Sequence, residues 1–205
     1  MDFSYNENEA LQGGASGYIT QTGAYVVKIT MAKWTVSQSG AEALELSIET
    51  ENSEKLDYLS IYYRGKDGNV IDFGRNMIQS LMGCTGVKKL SRQPTENALI
   101  APELIGKSVG LCLQKHLYTK QDGSDGFYFK IIQVYSAKSG LTLSEHKNNE
   151  PAKRVAYLIS TMKDKDEREK PKRTKQSKPK NETNQANEAT AQLYGKYDFD
   201  DDVPF

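Results

Sequence analysis

Apolar and polar side chains alternate over several stretches of the chain, a pattern typical of strands that bury one face. In the first stretch, residues 25–36, Val27 and Ile29 point to one side while Lys28 and Trp34 point to the other. Turn-forming residues such as Gly, Asn, Asp and Ser separate these stretches. The remaining strands are predicted at residues 44–48, 56–64, 70–73, 108–119 and 126–137.

The spacing of apolar residues changes between the fourth and fifth predicted strands. Apolar residues between positions 77 and 82 recur at helical spacing, which predicts an amphipathic helix from near Gly74 to Gly83 or Gly86. A second short helix is predicted within residues 87–106. Residues 151–162 are expected to form a last short element packed on the sheet.

These elements predict an all-β fold with one or two short helices. Five or six closely spaced strands, with one helix between the third or fourth strand and the next, favour a small Greek-key barrel. The five-stranded OB-fold is the leading member of that class. Strand spacing alone leaves other small barrels open. The barrel domain is predicted to span residues 24–162.

Composition indicates that part of the 205-residue chain lies outside the core, because hydrophobic content is 37% and the mean hydropathy is −0.67. Residues 1–23 are predicted to be a flexible N-terminal arm. Residues 163–196 are predicted to be a disordered basic and polar linker, because residues 163–190 contain no apolar side chains except two alanines. The whole chain would then be a barrel followed by a disordered C-terminal tail.

The charges of the chain balance, with 27 Lys plus Arg and 27 Asp plus Glu. Residues 1–150 carry 15 basic and 17 acidic side chains, and residues 151–205 carry 12 basic and 10 acidic ones. Neither part is a polycation. Any nucleic-acid site must therefore be a local patch of cations.

Apolar and acidic residues are combined at the C-terminal tip, residues 197–205. Four aspartates surround Phe199, and Val203, Pro204 and Phe205 end the sequence. An apolar anchor beside carboxylates suits a pocket lined by Arg or Lys, and the proline reduces the freedom lost on docking. A solubility tail needs no such apolar residues, so the pattern favours docking to a partner protein.

This tip resembles the C-terminal tip of bacterial single-stranded DNA-binding proteins. The matching residues are Asp198, Phe199, Asp200, Asp201, Asp202, Val203, Pro204 and Phe205, with Val203 at a position where that family has isoleucine. The resemblance implies a protein that coats single-stranded DNA in replication, recombination and repair. It also implies that the tip recruits enzymes of these processes, with the final Pro-Phe as the anchor.

The body of the chain differs from that bacterial family, because its opening strand pattern is missing and the linker is basic. Residues 135–140 and 144–145 more nearly resemble bacteriophage proteins of single-stranded DNA-binding type with an N-terminal OB domain. This second resemblance favours a bacteriophage or prophage origin. It leaves a homo-oligomer open, and no DNA-contact residue can be transferred from the bacterial family by position.

Binding of single strands without sequence preference requires aromatic faces for bases and cations for phosphates. Tyr58, Tyr62 and Arg64 are predicted to share one face of the third strand, whereas Tyr63, Phe127 and Phe129 are predicted to be core residues. For Trp34, stacking at the surface and capping of the barrel core both stay open. The complete predicted DNA face consists of Lys28, Trp34, Tyr58, Tyr62, Arg64, Lys66, Arg75, Lys115, Tyr118, Tyr128 and Lys130.

Other functions find little support in the sequence. We find no catalytic set, no metal site and no cofactor motif; the two cysteines, Cys84 and Cys112, are expected to be reduced. With no signal peptide and no run of about 18 apolar residues, we expect a cytoplasmic protein without membrane contact. Two rival functions stay open: a recombination annealing or mediator protein, and an adaptor that carries the tip without binding DNA.

Overall fold

Eight strands and three helices form the structure, a computed structural model that describes Ser4 and residues 17–168. The five long strands are β1 (Gly23–Val36), β2 (Glu42–Thr50), β3 (Lys55–Arg64), β6 (Ser108–Thr119) and β7 (Asp125–Tyr135). The two-residue strands are β4 (Gln93–Pro94), β5 (Leu99–Ile100) and β8 (Lys165–Asp166). The helices are α1 (Asp72–Thr85), α2 (Leu143–Asn148) and α3 (Arg154–Thr161), and Pro102–Leu104 form a 3-10 turn.

The long strands form one antiparallel sheet in the order β3, β2, β1, β6, β7. Helix α1 connects β3 to the second half of the sheet and packs against β3, β6 and β7. Because β1 pairs with both β2 and β6, it joins the two halves of the sheet, and most buried apolar residues form one large cluster beside a smaller one around Cys112 and Tyr135. This confirms the predicted all-β, OB-like fold with short helices.

The core follows the predicted alternation over most of the sheet. Val27 and Ile29 of β1 are buried, as are Leu44, Leu46 and Ile48 of β2. Helix α1 adds buried residues from its apolar face, and β6 and β7 contribute the rest. Long strands with one buried face therefore contribute every second residue to the core, whereas β6 is buried continuously over residues 109–113.

A β-bulge interrupts this alternation in β1. The pairing with β2 shifts between Ile29 and Met31, and Ala32 is fully buried. A one-residue shift moves every later side chain to the other face of a strand. Trp34 therefore packs against the core, and the prediction that it shares the outward face of Lys28 is wrong.

The predicted range of the barrel domain, residues 24–162, is too short at both ends. On the N-terminal side, Tyr18 pairs with Lys55 and Ile19 is only 1% exposed, because this apolar side chain enters the core. On the C-terminal side, β8 pairs with β6, so the predicted linker does not begin at residue 163. The rest of the predicted linker and the tip lie outside the described residues, as does most of residues 1–16.

Among the short elements, one prediction is wrong and one helix was not predicted. Residues 70–73 form no strand, because Val70 makes a single bridge to Arg64 and α1 already begins at Asp72. Helix α2 was not predicted, although its capping box is visible in the sequence. Thr142 accepts a hydrogen bond from the Glu145 backbone, and the Glu145 side chain accepts one from the Thr142 backbone.

Candidate nucleic-acid interface

An aromatic pair lies at the C-terminal ends of β1 and β3, the two strands that flank β2. The rings of Trp34 and Tyr63 contact edge to face, with centroids 5.6 Å apart and an angle of 89° between their planes. The bulge in β1 turns Trp34 towards Tyr63, and the indole Nε1 donates a hydrogen bond of 2.9 Å to the backbone oxygen of Ser91. Both rings are partly buried, so each packs against the core and keeps part of its surface exposed.

An arginine stacks on this aromatic pair from the segment between α1 and β4. The guanidinium carbon of Arg92 lies 4.8 Å from the ring centroid of Trp34 and 5.9 Å from that of Tyr63. Arg92 also donates a 2.6 Å hydrogen bond to the Tyr63 hydroxyl. Half of its side chain stays exposed, which leaves the planar cation accessible to an anion or a base.

A carboxylate holds these groups in place. Glu42 accepts a 2.6 Å hydrogen bond from the Tyr63 hydroxyl and lies 3.0 Å from Arg64 and 3.3 Å from Arg92. The Tyr63 hydrogen bond is the main reason why the pKa of Glu42 is lowered, and the two arginines add to it. One carboxylate against two arginines leaves a surplus positive charge. We call Trp34, Glu42, Tyr63, Arg64 and Arg92 the Trp34 cluster.

A second aromatic and basic group lies on one face of the β6–β7 hairpin. The ring of Tyr128 is 5.0 Å from His116 and 5.9 Å from Tyr118, and the ammonium of Lys130 lies 5.5 Å from the Tyr128 ring centroid. Glu167, just after β8, accepts a 2.9 Å hydrogen bond from the Tyr128 hydroxyl. We call these five residues the hairpin cluster.

Burial shapes the charges of the hairpin cluster. The His116 side chain is only 3% exposed, and this burial is the main cause of its lowered pKa, to which Lys130 adds. Burial also lowers the pKa of Lys130. Burial alone would raise the pKa of Glu167, but bonds from Lys165 and Tyr128 outweigh it and lower the pKa to about 2. Glu167 is therefore a firmly ionised carboxylate among cations.

The predicted residues of the hairpin do not lie on a single face. Lys115 is opposite Phe129 in the ladder, and its ammonium lies 4.3 Å from the Phe127 ring centroid. The side chains of Tyr118, Tyr128 and Lys130 lie on the other face of the hairpin. Phe129 is buried as predicted, whereas the prediction of a buried Phe127 is wrong, since this ring is 47% exposed where the hairpin extends past the core.

The predicted stripe of Tyr58, Tyr62 and Arg64 is not continuous. Leu56 pairs with Ile48 and Leu59 with Leu46, so Tyr58 lies in a bulge and has a positive φ of 59°. Tyr58 is 78% exposed, whereas Tyr62 is partly buried, and Arg64 is bound to Glu42. The bulge breaks the spacing of two residues on which the prediction depended.

The other predicted cations lie at separate points of the surface. Lys28 is opposite Glu49 in the β1–β2 ladder, Lys66 lies in the turn after β3, and Arg75 is exposed on α1. The sequence prediction missed Tyr63, Arg92 and Glu167. Alternation assigned Tyr63 to the core, and Arg92 and Glu167 lie in segments without a periodic pattern.

Residues 17–168 contain no group of three or more His, Cys, Asp or Glu side chains that could hold a metal ion. Among the helices described, none is long and apolar enough to cross a membrane.

The sequence matches no model of a known protein family, and it matches no curated protein. The Trp34 cluster, the hairpin cluster and the residues of the tip are therefore the features that indicate a function.

Proposed function

We propose that this protein binds single-stranded DNA without sequence preference and recruits replication and recombination enzymes through its tip. The observation that carries this proposal is the Trp34 cluster. It combines an edge-to-face pair of aromatic rings with two partly exposed arginines. These are the two kinds of group that single strands require, a surface for bases and cations for phosphates.

The geometry suggests how the groups would act. The exposed side of Arg92 offers a flat cation that continues the Trp34 surface, on which a base can stack. Arg64, at the end of β3, forms an ion pair with the Glu42 carboxylate that Arg92 also contacts, and from there it can reach a phosphate. Neither contact reads the edge of a base, so binding would depend little on sequence.

Local concentration of cations matters because the whole chain has no net charge. A neutral protein attracts DNA weakly at long range, so contact depends on a patch where cations exceed acids. The Trp34 cluster is such a patch. We propose that it works in the cytoplasm, where replication and recombination expose single strands.

The tip would supply the second half of the function. Its aspartates, Phe199 and the terminal Pro204-Phe205 pair suit a basic pocket with an apolar floor on another protein. Removing residues 198–205 should abolish capture of such enzymes and leave the barrel's stability unchanged.

Trp34 is the only tryptophan in the sequence, so its fluorescence reports directly on the proposed site. Titration with a thymidine oligonucleotide of roughly 20 nucleotides should quench this fluorescence, with an effect that weakens as salt rises. A duplex of equal length should bind more weakly, because its bases are already stacked. Lack of both quenching and a mobility shift would contradict the proposal and favour an adaptor that works through its tip alone.

A matched pair of variants tests the site itself. Arg92→Ala should weaken oligonucleotide binding about tenfold and lower the salt slope by about one. Lys138→Ala removes the same charge from the exposed turn after β7 and should leave both values near those of the unaltered protein. Equal effects of the two substitutions would show that only general charge matters.

A further inference from the structure

Residues 163–168 lie across the hairpin cluster, and we call them the strap. Strand β8 within the strap pairs in parallel with β6, with Lys165 opposite His116 and Asp166 opposite Leu117. Arg168 ends the strap with a 2.7 Å ion pair to Asp125 at the start of β7.

The strap occupies an edge of β6 that β1 leaves open. Pairing between β1 and β6 ends at Leu113, opposite Gly23. Beyond that point, the Gln114 side chain donates to the backbone oxygen of Lys163, and the Glu167 backbone donates to Leu117. An open sheet edge can accept any extended segment, and a two-residue strand is a weak hold on it.

Side chains supply the donors and cations around the Glu167 carboxylate. It accepts the Tyr128 hydroxyl at 2.9 Å, and it lies 3.3 Å from His116 Nδ1 and 2.6 Å from the Lys165 ammonium. The Lys165 ammonium belongs to the strap and would leave with it. The groups that remain are a tyrosine hydroxyl, an imidazole and the Lys130 ammonium, and such groups bind a phosphate oxygen as readily as a carboxylate oxygen. The strap thus holds an anion where a nucleic-acid phosphate would fit.

The ring of His116 shows that this arrangement is not fully satisfied. Nδ1 faces Glu167, whereas the buried Nε2 has no hydrogen-bond partner among residues 17–168. A buried polar atom without a partner destabilises the arrangement around it. The ring therefore has hydrogen-bonding capacity that the strap does not use.

We infer that the hairpin cluster is a second phosphate site for single-stranded DNA, and that Glu167 of the strap competes with the DNA backbone for it. The inference rests on the proposed function and names the part of the surface that the DNA would reach by displacing the strap. Tyr118 and Tyr128 would offer rings to bases, while His116 and Lys130 would hold the phosphate. Because the strap leads into the linker and tip, DNA binding would also lengthen the tether of the tip.

A reversible disulfide tests the competition directly. Leu117 and Asp166 are ladder partners on adjacent strands, about 4.8 Å apart by general strand geometry, a separation that a disulfide can span. In the double variant Leu117→Cys and Asp166→Cys, oxidation should weaken oligonucleotide binding about tenfold, and reduction should restore it. Equal binding by the oxidised and reduced forms would overturn the inference.

The native cysteines should not interfere with this experiment. Burial raises the pKa of both Cys84 and Cys112 to about 11, so their thiols stay protonated near neutral pH and react slowly. Mass spectrometry of the oxidised variant checks that the new pair alone is linked.

A second variant removes the competing charge and keeps the shape of the side chain. Glu167→Gln should raise affinity for the oligonucleotide about tenfold, the equivalent of one hydrogen bond to a charged group. Glu51→Gln removes the same charge from the exposed β2–β3 turn and should have little effect. Equal gains in the two variants would contradict competition by the strap.

Failure of this inference can be told apart from failure of the proposed function. If the unaltered protein binds the oligonucleotide and Arg92→Ala weakens it, while neither the disulfide nor Glu167→Gln changes binding, the strap inference alone is wrong. If the unaltered protein shows no binding, the proposed function is wrong and the inference falls with it.

Discussion

Glu42 and Glu167 have similar partners but belong to different kinds of structure. Each accepts a hydrogen bond from a tyrosine hydroxyl, 2.6 Å from Tyr63 in one case and 2.9 Å from Tyr128 in the other. Each also faces two basic side chains. Glu42, however, begins β2 and is paired on both sides, with β1 and with β3. Glu167 follows a two-residue strand at a sheet edge.

This difference separates a fixed counterion from a replaceable one. Glu42 cannot leave without opening two ladders, so it orients Arg64 and Arg92 permanently. Glu167 can leave with the strap, since short edge pairing and exposed ion pairs hold it. The Trp34 cluster would then be available to DNA at all times, and the hairpin cluster only when the strap is displaced.

The largest expected effect comes from breaking the rigid base of the Trp34 cluster. Gly74 of α1 lies on the β3 backbone, and a Cβ at this position would collide with the carbonyl oxygen of Tyr62. Gly74→Ala should therefore lower the free energy of unfolding by about 3 kcal/mol, measured by urea denaturation. Asn76→Ala, on the exposed side of the same helix, should change it by less than about 0.5 kcal/mol. Equal stabilities would show that α1 is not held on β3 at this point.

The second largest expected effect, on oligonucleotide affinity, tests which face of β3 contacts DNA. Tyr63→Ala should weaken oligonucleotide binding roughly 5- to 150-fold, because one stacked ring contributes about 1–3 kcal/mol. Tyr62→Ala, the neighbouring ring on the other face, should leave affinity within about twofold. The reverse result would restore the face predicted from the sequence. Urea denaturation of both variants controls for loss of folding.

How well the sequence predicted these regions depends on the bulges. All five long strands and α1 were predictable, because a strand with one buried face keeps a period of two. A bulge adds one residue without any clear sequence signal. The bulge in β1 moved Trp34 from the outward face to the cluster with Tyr63, and a second bulge, in β3, isolated Tyr58. Fold class could therefore be predicted, but not which aromatic rings lie together.

The strap was missed for a different reason. All six residues of 163–168 are charged, and composition of that kind predicts a segment that buries no surface. The segment is nevertheless ordered by backbone pairing and by Glu167, His116 and Arg168. Such pairing depends on an open edge elsewhere in the fold, which a local sequence pattern cannot reveal.

Low pH should lower the stability of the protein through both Glu167, the replaceable carboxylate, and Glu145, a structural one. Glu145 accepts hydrogen bonds from the backbone of Thr142, Lys153 and Arg154, and these lower its pKa to about 2, close to that of Glu167. Both carboxylates bind fewer protons in the folded state than in the unfolded state. Their contribution to stability is therefore complete above pH 4.5 and lost as the pH falls towards 2.

Urea midpoints measured from pH 7 to pH 3 test this dependence. Glu145→Gln should lower the midpoint at pH 7 and flatten its decline below pH 4.5, whereas Glu167→Gln should flatten the decline with a smaller loss at pH 7. His116 adds a separate step: its lowered pKa means that stability from the neutral ring is complete above about pH 6.5 and lost below it. A midpoint independent of pH in this range would contradict all three assignments.

The smallest expected effect separates competition from simple DNA contact. Tyr128→Phe keeps the ring that faces His116 and Tyr118 but removes the hydroxyl that binds Glu167. If the strap and a DNA phosphate bind the same hydroxyl, the substitution removes one hydrogen bond from each of the two competing complexes. The two losses offset each other, so oligonucleotide affinity should stay within about twofold. With the strap locked by the oxidised Leu117→Cys and Asp166→Cys pair, the substitution should again have little effect, since the locked hairpin cluster is closed to DNA. A Tyr128→Phe loss of about tenfold in the unlocked protein would mean that the hydroxyl serves DNA alone, and Glu167 would then be a fixed counterion like Glu42.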